Sequence, residues 1–341
     1  MGYVFFCASA LFALLLIPMS ASAVEAAAEG LRLFALDVVP SLFPFLVCSH
    51  CLLNSQTPAF GNARVRIVAS PLLAALCGTP SAALMLNGYL CADAALASVY
   101  CAALNQAGPV FIVSALSYRF LGSGAYALPL AVSHYAPSLV AALVIGLRFG
   151  NELFAGRTAP QTARRSMLSV FSASLSDSVS VMLRIGGMIV FFRVLCAEAG
   201  ELVSDLHIPP LIEKTLMGML EMTNGLKAVS TERTRLSLSL CAFLLSFGGV
   251  CIFMQSKLVF DRLKAAPYFI AKLRLSLVSG SVMWAWYPHI ADAEDVFGFT
   301  GERLDEFSLF PESFWVFCGF ALAVSLTLLF FYVGARLVKK S

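Results

Sequence analysis

The sequence predicts an all-α polytopic membrane protein, with about eight transmembrane helices and two re-entrant helical hairpins arranged as two inverted repeats. Composition is the first observation behind this prediction. Of the 341 residues, 59% are hydrophobic and only 13% are charged, whereas a soluble domain carries about 25% charged residues. The second observation is that the apolar residues form runs of about twenty, the length that a helix needs to cross a hydrocarbon core of roughly 30 Å.

Eight apolar runs are long enough to cross the bilayer as helices. They lie near residues 2–22, 30–53, 98–118, 125–147, 168–197, 236–256, 266–287 and 312–335, the last within a C-terminal helix at 311–341. The first run ends in small residues, as a signal peptide does, but no Lys or Arg precedes residue 32, so we expect a retained helix. The ten cysteines are scattered singly, which is typical of small helix residues and not of a disulfide framework.

Two further apolar segments are too interrupted to form one clean span each. Residues 68–90 contain two prolines and two glycines, and residues 211–229 are interrupted by Glu-Met-Thr-Asn-Gly at 221–225. We predict that both are helix–break–helix hairpins, which enter and leave the membrane on the same side. We call them the first hairpin (68–90) and the second hairpin (211–229), and we expect their tips to approach each other near the membrane midplane.

The two hairpins lie at matching places in two halves of a single transmembrane domain, residues 1–341. The halves are repeat 1 (27–148) and repeat 2 (168–287). In each half, a long helix precedes the hairpin, and a helix with a small-residue break follows it, at 105–109 in one half and at 247–250 in the other. Each repeat crosses the membrane three times, and because this number is odd, repeat 2 has the opposite orientation to repeat 1. Inverted repeats with interrupted helices in corresponding positions are typical of secondary transporters, whose site lies between the repeats.

Basic residues predict the orientation in the membrane. Residues 148–165 carry four arginines against one acid, and the chain ends in a basic segment, so both are expected in the cytoplasm. The acidic loop at 288–311 is then expected outside. One cluster opposes this scheme, because Lys227, Arg233 and Arg235 would also lie outside.

The breaks form the predicted substrate site. Backbone groups at a break cost several kcal/mol each in lipid unless protein, water or a solute binds them, and a half-helix N-terminus carries roughly +0.5 charge. Such ends would surround a carboxylate or a polar ring. The alternative is that Gly and Pro only allow close helix packing. The predicted substrate-binding residues at the breaks are Thr79, Ser81, Asn105, Gln106, Thr223, Asn224 and Gly225.

Ionisable residues inside spans are costly, which makes them candidates for function. Arg184 and Arg193 are predicted to attract a dianion, and Glu221 is predicted to carry a coupling proton or to pair with an arginine. Three others lie near predicted span ends, where snorkelling or a structural ion pair is expected. They are Asp37, Asp177 and His134.

Six motifs follow one another in order between residues 27 and 287. They are PSLFPF at 40–45, GTPSAA at 78–83, NQAGP at 105–109, IGGMIVFF at 185–192, LEMTNG at 220–225 and SFGG at 246–249. Together they resemble the YlbJ-type sporulation integral membrane proteins, which carry the gate domain also seen in nucleoside transporters and in the ferrous iron transporter. The resemblance implies a role in endospore formation, with movement of dipicolinic acid across the outer forespore membrane as the leading proposal. The sequence departs from the family pattern at Gln106 and at 78–80, which affects the expected substrate more than the fold.

The predicted function is therefore that of a secondary transporter or facilitator for a small organic anion, working by alternating access in a cell membrane. One alternative is a nucleoside-like solute, contacted by Asn105, Gln106 and Asn224. A second alternative is a non-transporting assembly factor for the spore envelope.

The expected partners are a small solute, the lipid bilayer and, as an open option, further copies of the chain. A net charge of +3 gives no reason to expect nucleic acid. The sequence has no nucleotide-binding fingerprint, and the CxxC at 48–51 has no second ligand pair. We therefore predict no enzymatic activity, catalytic residue, cofactor or metal.

Overall fold

The computed structural model describes residues 20–54, 63–80, 83, 90, 92–154, 166–203 and 209–297, and every regular element among them is helical. The α-helices in these ranges are α1 (Ser20–Leu33), α2 (Val39–Asn54), α3 (Ala63–Cys77), α4 (Ala94–Leu104), α5 (Ala127–Phe154), α6 (Met167–Val203), α7 (Pro210–Leu220), α8 (Met222–Val229), α9 (Arg235–Phe247), α10 (Gly249–Val259) and α11 (Ala265–Phe297). A π-helical segment at Phe34–Val38 joins α1 to α2, and another at Phe111–Phe120 follows α4.

Three helical stretches in this part of the chain are long and apolar enough to cross a membrane. They are Gly124–Phe154, Met167–Gly200 and Arg235–Val259, with a fourth if Ala21–Val38 and Leu42–Cys48, which are bent by 58°, count as one span. The helical, membrane-spanning class is therefore confirmed, whereas the number of eight crossings stays a prediction. Residues 2–19 of the predicted span at 2–22, the predicted span at 312–335 and the C-terminal helix at 311–341 lie outside the described residues.

One boundary differs from the prediction. The sequence suggested separate helices ending at residue 22 and beginning at residue 30, but α1 runs through this interval without interruption. The reason is local composition, because Ala-Val-Glu-Ala-Ala-Ala-Glu at 23–29 consists largely of strong helix formers.

Large apolar side chains cover the outer faces of the long helices. On α6, Leu183 is 66% exposed, and Leu147 on α5 is 75% exposed. In water such surfaces would promote aggregation, whereas in a bilayer they face hydrocarbon at no cost. These faces are therefore the lipid-contacting surface of the protein.

The predicted interruptions at Gly78, 105–109, 221–225 and 247–250 contain real breaks in helices, whereas Pro71 lies inside α3, which continues through it. The first hairpin turns at Gly78, directly after α3, and its return limb lies outside the described residues except for Ala83 and Leu90. The second hairpin breaks at Glu221, between α7 and α8. The two helices that follow the hairpins are also broken. We call the non-helical residues 105–108, after α4, the first break, and Gly248, between α9 and α10, the second break.

Helices from the two halves pack against each other around the core. The long helix α6 packs along α1 and α2, and α11 packs against α4, α5 and α9. Thus the first long helix of one half lies beside the first long helix of the other. This arrangement agrees with two inverted repeats at 27–148 and 168–287, which stay a prediction.

Candidate functional site

A cavity lies where the two hairpin tips meet the two broken helices. Its volume is about 50 Å³, which is room for about four water molecules. From repeat 1 it is lined by Val38, Leu42, Thr79, Ala107, Gly108 and Phe111. From repeat 2 it is lined by Ile185, Ile189, Glu221, Met222, Thr223, Ile252 and Gln255. Each half thus contributes its first long helix, its hairpin tip and its broken helix.

Glu221 forms the tip of the second hairpin. Its carboxylate accepts hydrogen bonds from the backbone N–H groups of Thr223, at 3.0 Å, and Asn224, at 2.6 Å. The side chain is only 2% exposed. The sequence predicted that this half-helix end would face a carboxylate or a polar ring, and the carboxylate bound there in the structure is the chain's own. It satisfies N–H groups that would otherwise be unpaired at the start of α8.

Thr79 forms the tip of the first hairpin, which is joined to the first break through the backbone. The N–H of Thr79 donates to the carbonyl of Gln106 at 2.9 Å. Gly78 has a φ of +64°, and a Cβ atom there would lie 2.9 Å from the backbone nitrogen of Gly108. Only glycine allows both this conformation and this approach. Ser81 lies outside the described residues.

Asn105 and Gln106 lie at the first break, behind the cavity wall. Asn105 donates from Nδ2 to the hydroxyls of Ser256 and Tyr268, each at 2.7 Å, and Gln106 donates from Nε2 to a backbone carbonyl at 2.8 Å. Their side-chain carbonyl oxygens are buried and have no hydrogen-bond partner among the described residues. In this conformation the two side chains support the break and do not line the cavity.

Asn224 and Gly225 follow Glu221 in the second hairpin. Asn224 Nδ2 is buried without a hydrogen-bond partner in the described part of the chain, which leaves a donor next to the tip. Gly225 packs against Gly218 of α7 so closely that a Cβ would lie 2.0 Å from the Gly218 Cα. Gly225 therefore allows α7 and α8 to pack closely, which is the alternative to substrate binding that the sequence left open.

The structure does not bring the two predicted arginines to the cavity. Arg184 is exposed on α6, and Arg193 forms an ion pair with Glu29 of α1, with Nε 3.1 Å from Oε2. The cavity face of α6 carries Ile185 and Ile189 instead. Because consecutive helical residues are separated by about 100° around the axis, a residue at the same membrane depth as the cavity can still point away from it. This geometry does not support the arginines as substrate ligands.

Two residues outside the predicted site join the breaks, and one of them, Lys272, was not selected from the sequence. Lys272 of α11 is buried, and its ammonium donates to the carbonyls of Asn105 and Ser246. His134 of α5 accepts the N–H of Ala107 at Nε2, and its Nδ1 lies 2.9 Å from Ser246 Oγ. The signal for Lys272 was a charged residue well inside the apolar run at 266–287.

The other ionisable residues have structural partners. His134 was expected near a span end, but it is fully buried among α5, the first break and α9. Asp37 forms the expected structural ion pair, with Arg119 Nε 2.8 Å from Oδ1. Asp177 accepts a hydrogen bond from Asn54 at 3.2 Å.

The chain is similar to the sporulation integral membrane protein YlbJ of Bacillus subtilis (strain 168). The two are 23% identical over 365 aligned residues, which cover 91% of this chain and 89% of that protein. This similarity confirms the resemblance to the YlbJ-type proteins that the six sequence motifs indicated. No family model matches the chain, and no solved structure matches it. Together with its apolar helices, the similarity identifies the chain as an integral membrane protein.

Proposed function

We propose that this relative of the YlbJ-type sporulation proteins is a secondary transporter or facilitator of a small organic anion, with dipicolinic acid in endospore formation as the leading substrate. The observation that carries the proposal is the cavity between the two hairpin tips and the two broken helices. In transporters built from inverted repeats, the solute binds near the midplane where such breaks meet, and the repeats move around it. The outer forespore membrane is the location that this role requires.

A substrate carboxylate has a natural binding place at the start of α8. The N–H groups of Thr223 and Asn224 hold the Glu221 carboxylate, so their geometry suits this chemical group. Protonation of Glu221 removes its negative charge and weakens both charge-assisted bonds. The substrate carboxylate then replaces the glutamate, and one proton accompanies the anion. Glu221 thus serves as the carrier of the coupling proton.

The size of the cavity supports one step of the proposed cycle for this conformation. About 50 Å³ is less than an aromatic dicarboxylate requires, since that space holds only about four water molecules. The hairpin tips must therefore separate for the substrate to bind. We propose that the structure corresponds to a closed state between the outward-open and inward-open forms.

A nucleoside-like solute is the second candidate, and the cavity lining is the observation that favours it. Among the described residues, no Lys or Arg lines the cavity, while Thr79, Thr223 and Gln255 offer neutral hydrogen-bonding groups. Such groups suit a sugar or base better than a dianion. A spore-envelope assembly factor has less support, because a cavity with Glu221 and Gln255 in its lining has no evident use in that role.

Uptake into proteoliposomes tests these functions. We expect purified protein to accumulate labelled dipicolinate when the outside is acidic, and Glu221→Gln to abolish this dependence on the pH gradient. Glu198→Gln is the matched control, because Glu198 is also buried but does not line the cavity. Uptake of a labelled nucleoside without dipicolinate would favour the second candidate. Folded protein that transports neither solute would refute the transport proposal.

A further inference from the structure

The ammonium of Lys272 lies between the ends of two broken helices from different halves. It donates to the carbonyl of Asn105, the residue that caps the C-terminus of α4, and at 2.9 Å to the carbonyl of Ser246, in the last turn of α9. The side chain extends from α11, which packs against both α4 and α9. A single positive group therefore binds the first break and the second break at once.

Both ends need a positive partner at this depth. The last carbonyls of a helix have no partner within the helix, and its C-terminus carries about −0.5 charge. Two such ends together balance about one positive charge. Among the described residues, no carboxylate lies within ion-pair distance of Lys272, so the helix ends and not an acid stabilise the ammonium. In other broken-helix transporters, carbonyls of this kind coordinate Na⁺ or H⁺.

We propose that Lys272 is a built-in cation that takes the place of a transported metal ion between the two breaks, so that transport by this chain requires neither Na⁺ nor K⁺. This inference deepens the proposed transport function and rests on it. Because the ammonium is covalently attached to α11, it cannot leave with the substrate. It keeps the two breaks in register while the coupling charge is carried elsewhere.

The side chain of Ser246 adds further hydrogen bonds at the second break. Its hydroxyl lies within hydrogen-bonding distance of His134 and donates to Ser279 at 2.8 Å. The main chain of one residue at the second break is thus bound to α11, and its side chain to α5 and α11. Losing the Lys272 contact should therefore disturb both halves, not a single helix end.

Chemical rescue tests the assignment. Lys272→Ala leaves an empty space and two carbonyls without a hydrogen-bond donor. The purified variant should therefore melt at a lower temperature, and its transport rate should fall at least about tenfold. Methylammonium should restore part of the melting temperature and part of the transport rate. Choline, which is too large for the space, should not. Lys272→Met fills the space without a charge, so it should be impaired and not rescued.

Lys257 provides the matched control. Its ammonium also donates to two backbone carbonyls, those of Asp261 and Leu263 after α10, but the residue is exposed. Water replaces such a contact, so Lys257→Ala should change the melting temperature little and should show no specific response to methylammonium. A stabilisation of both variants by methylammonium would overturn the inference.

Ion replacement on the unaltered protein gives an independent test. Transport of dipicolinate or nucleoside should be unchanged when choline replaces Na⁺ and K⁺ on both sides of the vesicle. A requirement for either metal ion would overturn the inference, even if Lys272→Ala does not fold. If no solute is transported but methylammonium specifically stabilises Lys272→Ala, the proposed function fails and the built-in cation stands.

Discussion

Replacing Gly225 by alanine tests the architecture of the second hairpin most directly. The added Cβ would lie 2.0 Å from the Gly218 Cα, whereas ordinary contacts are 3.4–4 Å, so α7 and α8 must move apart by about 1.5 Å. Overpacking of this kind costs about 1–3 kcal/mol. It outweighs the gain of up to about 1 kcal/mol that alanine brings to a helix interior.

Gly187→Ala is the control for this prediction. Gly187 also lies inside a helix, α6, but a Cβ there meets no atom of the described residues within 4 Å. The control variant therefore keeps the helix-propensity gain without the clash, and we expect it to be as stable as the unaltered protein or slightly more stable.

The assay compares melting temperatures of the two variants in detergent, followed by transport. We expect Gly225→Ala to melt several degrees below Gly187→Ala, because roughly 2–4 °C accompanies each kcal/mol in domains of moderate size. Transport should fall as well, since the displaced tip carries Thr223 of the cavity wall. Equal melting temperatures would refute the close packing of α7 on α8.

Three further predictions concern the surface, the first break and the topology. A double-mutant cycle of Arg193→Gln and Glu29→Gln should give a coupling of less than about 1 kcal/mol, because both side chains are partly exposed. A larger coupling free energy would indicate that the ion pair is shielded from solvent and would contradict this expectation. Asn105→Ala should lower the free energy of unfolding by about 1–3 kcal/mol, because it removes two buried hydrogen bonds; an unchanged melting temperature would contradict this. Single cysteines should be labelled from outside at 288–311 and only after permeabilisation at 150–165, and the reverse pattern would invert the orientation.

The candidate site was predictable where it depends on local sequence. Thr79, Glu221 and Thr223 were selected because they stand at breaks in apolar runs, and all three line the cavity. The breaks themselves follow from residues such as Gly78, whose positive φ other residues adopt only with strain. Neither step requires knowledge of what packs against the segment.

The charged residues were harder to assign, because their role depends on which way a helix faces. Arg184 and Lys272 both lie inside apolar runs, and from the sequence they have the same claim to function. In the structure Arg184 is exposed, while Lys272 is buried between two helix ends. The difference comes from the neighbours of α6 and α11, which the sequence of either helix does not contain.

By itself, the sequence determined that this protein is a helical membrane protein and where its helices are interrupted. Hydropathy and backbone conformational preference act over one helix or one turn, so they can be read along the chain. Three features became visible in the folded chain alone: which breaks meet, that Glu221 binds its own helix end, and that Lys272 joins the two halves. These features depend on the rotation of each helix about its axis, which is chosen by packing between segments distant in sequence.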